Sequence, residues 1–192
     1  MAYSSVSRER KVAVVGARAV GKSSLTVQFV EEHFNESYYP TIENQLGKTV
    51  NYKGFEYSIE ILDTAGQDEF SMMNQKHLIG IHGYVLVYSI TSRSSFDMLK
   101  IIRDKILDST GQDQIPMVIV GNKSDLNLQR QVSQQDLKDL AQEFGGCPYI
   151  ECSAKQNEKV SRAFEIIVGA IEEQQNPTAD QEVQEGSSCV II

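Results

Sequence analysis

Cysteine, positive charge and long apolar runs are all scarce in this chain of 192 residues. Three cysteines (Cys147, Cys152 and Cys189) form neither a disulfide framework nor a zinc-ligand spacing, so we expect a reducing, intracellular compartment. Acidic residues outnumber lysine and arginine by 26 to 18, and the net charge is −8. This charge disfavours a nucleic-acid partner, which would need a basic surface.

Membrane-spanning and targeting segments are also missing from the pattern. The longest apolar run, residues 84–88, is far too short to span a bilayer. The N-terminus lacks the apolar segment of a secretory signal and has Ala2 in place of the glycine that myristoylation requires. We therefore expect any membrane contact to come from the other end of the chain.

Apolar segments rich in β-branched residues alternate with segments of helical apolar spacing. The strand-like segments are residues 11–15, 57–62, 83–90, 117–120 and 149–151, and the helix-like segments are residues 23–31, 94–108, 134–144 and 158–174. This alternation predicts one α/β domain with a largely parallel sheet and helices on both faces. Ser133 is the predicted N-cap of the third helix.

Two regions depart from this alternation. In residues 47–62, two alternating segments flank the turn signal Lys53-Gly54, which predicts an antiparallel hairpin at the sheet edge. From Asn176 onward the sequence is polar and acidic without an apolar period. We expect a folded domain over 8–175 and a flexible tail over 176–192.

Residues 16–23, GARAVGKS, match the phosphate-loop pattern G-x-x-x-x-G-K-[ST] between a predicted strand and a predicted helix. Gly16 and Gly21 let the backbone aim successive N–H groups inward, and the helix start adds positive potential. Lys22 supplies charge for the β- and γ-phosphates, and Ser23 offers a hydroxyl to Mg²⁺. The alternative is a glycine turn before an ordinary helix, but a chance match in such a chain arises only about once in a hundred.

Asp63-Thr64-Ala65-Gly66-Gln67 stands at the end of the hairpin's second strand. The pattern D-x-x-G alone arises by chance about once in a chain of this size, so an aspartate that caps a turn is the alternative. The phosphate loop favours function, because the two strands can lie side by side. We expect Asp63 to reach Mg²⁺ through water, Gly66 to donate its N–H to a γ-phosphate and Gln67 to orient a water.

Two further motifs indicate which base is bound. Residues 121–125, GNKSD, follow one buried strand, and residues 152–155, CSAK, follow the next. The carboxylate of Asp125 can accept hydrogen bonds from guanine N1 and N2, whereas adenine offers no matching donors and leaves the charge unpaired. A solvated turn is the alternative for N-K-x-D, but its place at the carboxyl edge of the sheet favours guanine.

With these four ordered motifs, residues 10–174 resemble the Ras superfamily of small GTPases and, within it, the Rheb branch. The resemblance implies a P-loop NTPase fold with a six-stranded, mostly parallel sheet, one antiparallel edge strand and about five flanking helices. It also implies a monomeric switch that binds GTP or GDP with Mg²⁺, hydrolyses GTP slowly under stimulation by a GTPase-activating protein (GAP), and signals in the GTP state.

The resemblance extends to the segment before the hairpin. By similarity, the hydroxyl of Thr41 ligates Mg²⁺ and its N–H meets the γ-phosphate, although a polar residue after a proline turn is the alternative. Phe34 packs edge-on to guanine by the same resemblance, but it could equally belong to the core. The implied effector loop comprises Tyr38, Tyr39, Pro40, Thr41, Ile42, Glu43, Asn44, Gln45 and Leu46.

The motifs and the resemblance together define the predicted site. The catalytic residues are Gln67, Lys22, Thr41 and Gly66, and the metal ligands are Ser23, Thr41 and Asp63. The nucleotide-binding residues are Gly16, Arg18, Ala19, Val20, Gly21, Lys22, Ser23, Ser24, Phe34, Tyr38, Thr41, Gly66, Asn122, Lys123, Asp125, Ser153, Ala154 and Lys155.

Arg18 stands where most Ras relatives have a glycine that admits the arginine finger of a GAP. We expect its long side chain to obstruct that route and hydrolysis to be slow; the alternative is that it points into solvent. The Rheb resemblance implies tuberin, which contributes an asparagine, as the GAP, and the TOR kinase complex as effector. Tyr39 replaces the usual aspartate, and Asn44 and Leu46 follow the Rheb pattern.

Cys189-Val190-Ile191-Ile192 fits C-a-a-X and predicts a prenyltransferase substrate, with an unmodified cysteine as the alternative. The final isoleucine does not choose between farnesyl and geranylgeranyl. Because the tail has neither a basic cluster nor a second cysteine, we expect weak, reversible attachment to the cytoplasmic face of endomembranes (lysosome or vacuole, endoplasmic reticulum or Golgi), with part of the protein in the cytosol.

Two other functions compete with the switch. One is a GTP-loaded binding module with negligible hydrolysis, which Arg18 keeps open. The other is a P-loop kinase, which is disfavoured because N-K-x-D and Thr41 have no role in it and no lid segment is visible.

Overall fold

The computed structural model describes residues 8–36, 43–66 and 80–175. In chain order its elements are β1 (Arg8–Gly16), α1 (Lys22–Glu31), β2 (Glu43–Tyr52), β3 (Phe55–Thr64), β4 (Gly83–Ser89), α2 (Arg93–Thr110), β5 (Met117–Asn122), a 3-10 helix (Ser124–Gln129), α3 (Gln134–Glu143), β6 (Tyr149–Glu151) and α4 (Val160–Gln175). This order confirms the predicted alternation of strands and helices.

The six strands form one sheet in the order β2-β3-β1-β4-β5-β6. Among the described strands, only the pair of β2 and β3 is antiparallel; the other four pairings are parallel, with Val12 of β1 opposite Ile61 of β3 and Gly83 of β4. The predicted mostly parallel sheet with one antiparallel edge strand is therefore confirmed. Because the parallel strands run in one direction, their carboxyl ends meet at one edge, where loops can enclose a ligand.

Hydrophobic side chains pack on both faces of the sheet. On one face, Phe29 of α1 and Phe164 of α4 stack with ring centroids 3.9 Å apart. On the other face, Phe96 and Leu99 of α2 and Leu137 of α3 cover the strands. This two-sided burial explains why all seven residues of β4 are buried and why its sequence is apolar without alternation.

Two local predictions are confirmed. Lys53 and Gly54 both have positive φ, 49° and 80°, as the two-residue turn of a hairpin requires. Ser133 caps α3: its Oγ accepts the Asp136 N–H at 3.0 Å, and its own N–H donates to Asp136 Oδ2 at 2.9 Å.

β1 and β2 begin well before the residues that the apolar pattern predicts. β1 starts at Arg8, before the predicted residue 11, and Arg10 Nη2 lies 2.6 Å from Glu172 Oε1 of α4. β2 starts at Glu43, opposite Thr64 of β3, so the part of the predicted effector loop from 43 to 46 is strand. Both extensions consist largely of polar residues, which give no apolar signal.

The 3-10 helix after β5 was not predicted. At the other end of the domain, α4 ends at Gln175, and the predicted tail over 176–192 lies outside the described residues. The domain boundary itself stays a prediction. Within the described ranges, every helix is too short or too polar to cross a membrane.

Candidate functional site

A cavity of about 360 Å³ lies among the loops that follow the carboxyl ends of the strands. It brings together the phosphate loop, the D-x-x-G segment and both base motifs, which are far apart in sequence. The residues that line it are Arg18, Ala19, Gly21, Lys22, Ser23, Ser24, Phe34, Asn35, Glu36, Thr64, Gly66, Asn122, Lys123, Asp125, Leu126, Ala154 and Lys155.

The phosphate loop connects β1 to α1 and requires its two motif glycines. Gly16 has φ 153°, and a Cβ there would collide with the Val87 carbonyl oxygen. Gly21 has φ 95°, and a Cβ there would collide with the Asn122 side-chain amide. Gly21 is also the N-cap of α1, and among the described residues no side chain caps this helix. The start of α1 is therefore suited to an anion.

Lys22 and Asp63 are ionisable groups buried beside this loop. Lys22 is only 6% exposed, and its Nζ donates to the carbonyl oxygens of Gly16 at 3.1 Å and Ala17 at 3.0 Å. Burial lowers the pKa of Lys22 to about 8, against the attraction of Asp63. Burial raises the pKa of Asp63, opposed by a hydrogen bond from Ser23 and the charge of Lys22. Such perturbed groups are typical of functional sites.

The oxygens at this position fit a magnesium ion. Asp63 is 2% exposed, and its buried Oδ1 has no hydrogen-bond partner among the described residues. A buried carboxylate oxygen without a donor is costly unless a cation or water meets it. The hydroxyl of Ser23 lies beside the same carboxylate, and hard oxygen donors of this kind are what Mg²⁺ prefers. The third predicted ligand, Thr41, lies outside the described residues.

The base motifs place an oriented carboxylate in the cavity. Asp125 is half-buried, and its Oδ1 accepts the Ser153 hydroxyl at 2.6 Å. Ser153 Oγ in turn accepts the backbone N–H of Gln156 at 3.0 Å, which fixes its orientation. An anchored carboxylate that accepts hydrogen bonds can select a base that presents adjacent N–H donors.

Asn122 connects the two ends of the cavity. This residue is 2% exposed; its Nδ2 donates to the Val20 carbonyl at 3.0 Å, and its Oδ1 accepts the Ala154 N–H at 3.1 Å. A second link joins Lys123 Nζ to the Ala19 carbonyl at 2.8 Å. Asn122 was predicted as a nucleotide contact, and the structure adds that it holds the phosphate loop against the loop after β6.

Three predicted nucleotide-binding residues lie behind the lining. The Gly16 carbonyl accepts Lys22, the Val20 side chain belongs to the hydrophobic core, and Ser153 orients Asp125. Phe34 lines the cavity and also packs on the core, and its contact with guanine stays a prediction. Seven predicted site residues lie outside the described ranges: Tyr38, Tyr39, Pro40, Thr41, Ile42, Gln67 and Cys189.

Four lining residues were missed by the sequence analysis. Thr64 lies inside the D-x-x-G motif, which could have identified it, and its Oγ1 donates to the Val14 carbonyl at 2.8 Å. Asn35 and Glu36 follow Phe34 in the loop after α1, and Leu126 follows Asp125. None of these last three belongs to a motif, so local sequence gave no signal for them.

Arg18 lines the cavity beside Gly66. The residue is exposed, but a Cβ on Gly66 would collide with the Arg18 side chain, so the two loops are in close contact there. The first carbon atoms of the Arg18 side chain therefore lie against Gly66 of the D-x-x-G segment. The predicted obstruction of the route to the γ-phosphate stays a prediction.

Loops that unite a phosphate cradle and an anchored carboxylate at the carboxyl edge of a parallel sheet define a P-loop nucleotide-binding protein. The model of the Ras family matches residues 11–173, and the chain therefore belongs to the Ras family of small GTPases. Members of this family hydrolyse GTP, so the predicted enzyme class is confirmed.

The similar relatives point to one branch of the family. The chain is 59% identical to "GTP-binding protein rhb1" of Schizosaccharomyces pombe over 96% of this chain and 97% of the relative. It is 53% identical to "Small monomeric GTPase RhbA" of Aspergillus fumigatus over 96% and 97%, and 44% identical to "GTP-binding protein Rheb" of Homo sapiens over 97% and 98%. The predicted resemblance to the Rheb branch is confirmed.

Proposed function

We propose that this small GTPase is a molecular switch that binds GTP or GDP with Mg²⁺ and is active in the GTP state. The observation that carries the proposal is the joint lining of one cavity by Lys22 of the phosphate loop and Asp125 of the base loop. A guanine nucleotide has phosphates at one end and N–H donors at the other, which matches this distribution of charge.

Hydrolysis in this proposal depends on position and electrostatics, without a covalent intermediate. Lys22 neutralises charge on the β- and γ-phosphates, Gly66 donates its N–H to the γ-phosphate, and Gln67 orients the attacking water. Ser23, Thr41 and Asp63 would hold Mg²⁺ directly or through water. When bound, the ion supplies positive charge to the phosphate oxygens. Loss of the γ-phosphate releases Thr41 and Gly66, which switches off the effector segment at residues 38–46.

The experiment that tests this proposal is single-turnover hydrolysis of GTP loaded on the purified full chain with Mg²⁺. We expect slow release of phosphate from the protein alone and acceleration by several orders of magnitude, about 10³-fold or more, with a tuberin-type GAP fragment. GTP that stays intact under both conditions would instead support the binding module that hydrolyses negligibly.

Arg18→Gly is expected to open the route to the γ-phosphate. Because the side chain lies beside Gly66 at the cavity, its removal should raise the intrinsic rate and permit stimulation by an arginine-finger GAP of at least about tenfold, part of the 10³–10⁵ such fingers supply. The measurement is the same single-turnover assay, with Arg162→Ala on α4 as an exposed control. Unchanged intrinsic and GAP-stimulated rates would show that Arg18 does not obstruct the site.

We further propose the TOR kinase complex as effector, which is supported by the similarity to relatives named Rheb and by the effector residues Asn44 and Leu46.

Prenylation of Cys189 would attach the protein weakly to endomembranes. Cys189→Ser should move the membrane-bound fraction to the cytosol, measured by fractionation of cells that express the full chain. Cys147→Ser, which leaves C-a-a-X intact, is the control, and a Cys189→Ser protein that remains on membranes would contradict prenyl anchoring.

A further inference from the structure

An ion pair joins two loops that line the cavity from distant parts of the chain. Lys155 Nζ lies 2.9 Å from Glu36 Oε1. Lys155 belongs to the loop after β6, Glu36 belongs to the loop after α1, and both line the cavity. The pair is therefore part of the boundary that encloses a bound nucleotide.

The loop that carries one partner of the pair is anchored to the domain. The loop that carries Lys155 is fixed to the domain by the hydrogen bonds of Ala154 to Asn122 and of Ser153 to Asp125. Glu36 belongs to the loop that begins where α1 ends at Glu31. The ion pair thus ties the loop after α1 to an anchored loop on the base side of the cavity.

We propose that the Glu36–Lys155 ion pair is a latch that slows the release of bound guanine nucleotide. This inference rests on the proposed nucleotide binding and adds Glu36 as a positioning residue for it. A nucleotide enclosed by these loops leaves when they separate, and separation breaks the pair. The intact pair therefore stabilises the closed arrangement more than the open one.

The size of the effect follows from exposure. The side chains of Glu36 and Lys155 are 77% and 57% exposed, so water and salt weaken their attraction. Asp125 also attracts Lys155 and remains when Glu36 is neutralised. Loss of the pair is therefore expected to accelerate release only about two- to fivefold, the range of an exposed ion pair.

The test is a double-mutant cycle on release of a fluorescent GDP analogue. The full chain is loaded with the analogue and Mg²⁺ and chased with excess unlabelled GDP at low ionic strength, for the wild type, Glu36→Gln, Lys155→Met and the double variant. Methionine keeps the unbranched stem of Lys155, which lies in the binding machinery. We expect both single variants to release faster, and the double variant to release no faster than the faster single variant.

A second readout separates the latch from a structural effect of the substitutions. Raising salt from about 0.05 M to about 0.5 M screens surface charges, so wild-type release should accelerate more than release from Glu36→Gln. Equal salt dependence in the two proteins would overturn the latch. The control is Glu143→Gln, which breaks an exposed pair with Lys100 between α2 and α3 and should leave release unchanged.

The cycle distinguishes failure of the latch from failure of the proposed function. If wild-type protein retains the analogue and Glu36→Gln releases it at the same rate, or if the two accelerations multiply in the double variant, the latch is wrong and nucleotide binding stands. If the wild-type chain retains no GDP analogue, nucleotide binding is wrong and the latch falls with it.

Discussion

Lys22→Met is expected to weaken binding of GTP and GDP by at least about a thousandfold, which corresponds to about 4 kcal/mol. Lys22 is buried at the base of the phosphate loop, where its ammonium group already donates to two loop carbonyls. A phosphate oxygen in this cradle would meet that charge out of water, where a charge-assisted hydrogen bond is strong. Methionine keeps the stem and removes the charge.

The measurement is the dissociation constant of GDP and GTP with Mg²⁺ by calorimetry. Lys138→Met on α3, an exposed position, is the matched control and should bind like the wild type. A loss of less than about tenfold would contradict the phosphate role of Lys22.

Asp125→Asn is expected to reduce GTP affinity by about a hundredfold or more and to leave weak ATP binding unchanged. The carboxylate offers only acceptors, whereas the amide replaces one acceptor with a donor that faces the N–H groups of guanine. One strong hydrogen bond is lost and one donor is left without an acceptor, and together these cost about 2–4 kcal/mol. ATP has no contact with this group to lose.

Competition of GTP and ATP against a fluorescent GDP analogue measures this selectivity. The matched control is Asp139→Asn on α3, an exposed aspartate whose Oδ1 accepts from Gln135 at 2.8 Å. Selectivity for GTP that survives in Asp125→Asn would assign base recognition to other groups, such as the backbone of Ala154.

The fold was predictable where each residue's environment repeats along the chain. Apolar runs identified the strands because burial on both faces of the sheet excludes polar residues. The dipeptide Lys53-Gly54 identified the hairpin because both residues adopt the positive φ that a two-residue turn requires. The start of β1 was not predictable in this way. Arg8 and Arg10 are held there by Glu172, which is far away in sequence.

The candidate site also contains some residues that the sequence predicts and some that it does not. The glycines of the phosphate loop form a strict sequence pattern, because a side chain at Gly16 would collide with the Val87 carbonyl oxygen. Glu36 and Leu126 belong to no sequence pattern, because only the path of their loops brings them to the cavity. The hydrogen bonds of Asn122 were not predictable either, because the N-K-x-D motif gives the residue type but not the backbone groups that its side chain contacts.

The hydrogen bonds of Asn122 couple the phosphate side of the cavity to the base side. One buried amide bonds both the Val20 carbonyl and the Ala154 N–H, so separating the two loops breaks at least one of these hydrogen bonds. Redesign of such a protein therefore cannot proceed by modules. A base-recognition loop transplanted from another scaffold must bring its own amide to the phosphate loop, or the phosphate loop must be rebuilt around it.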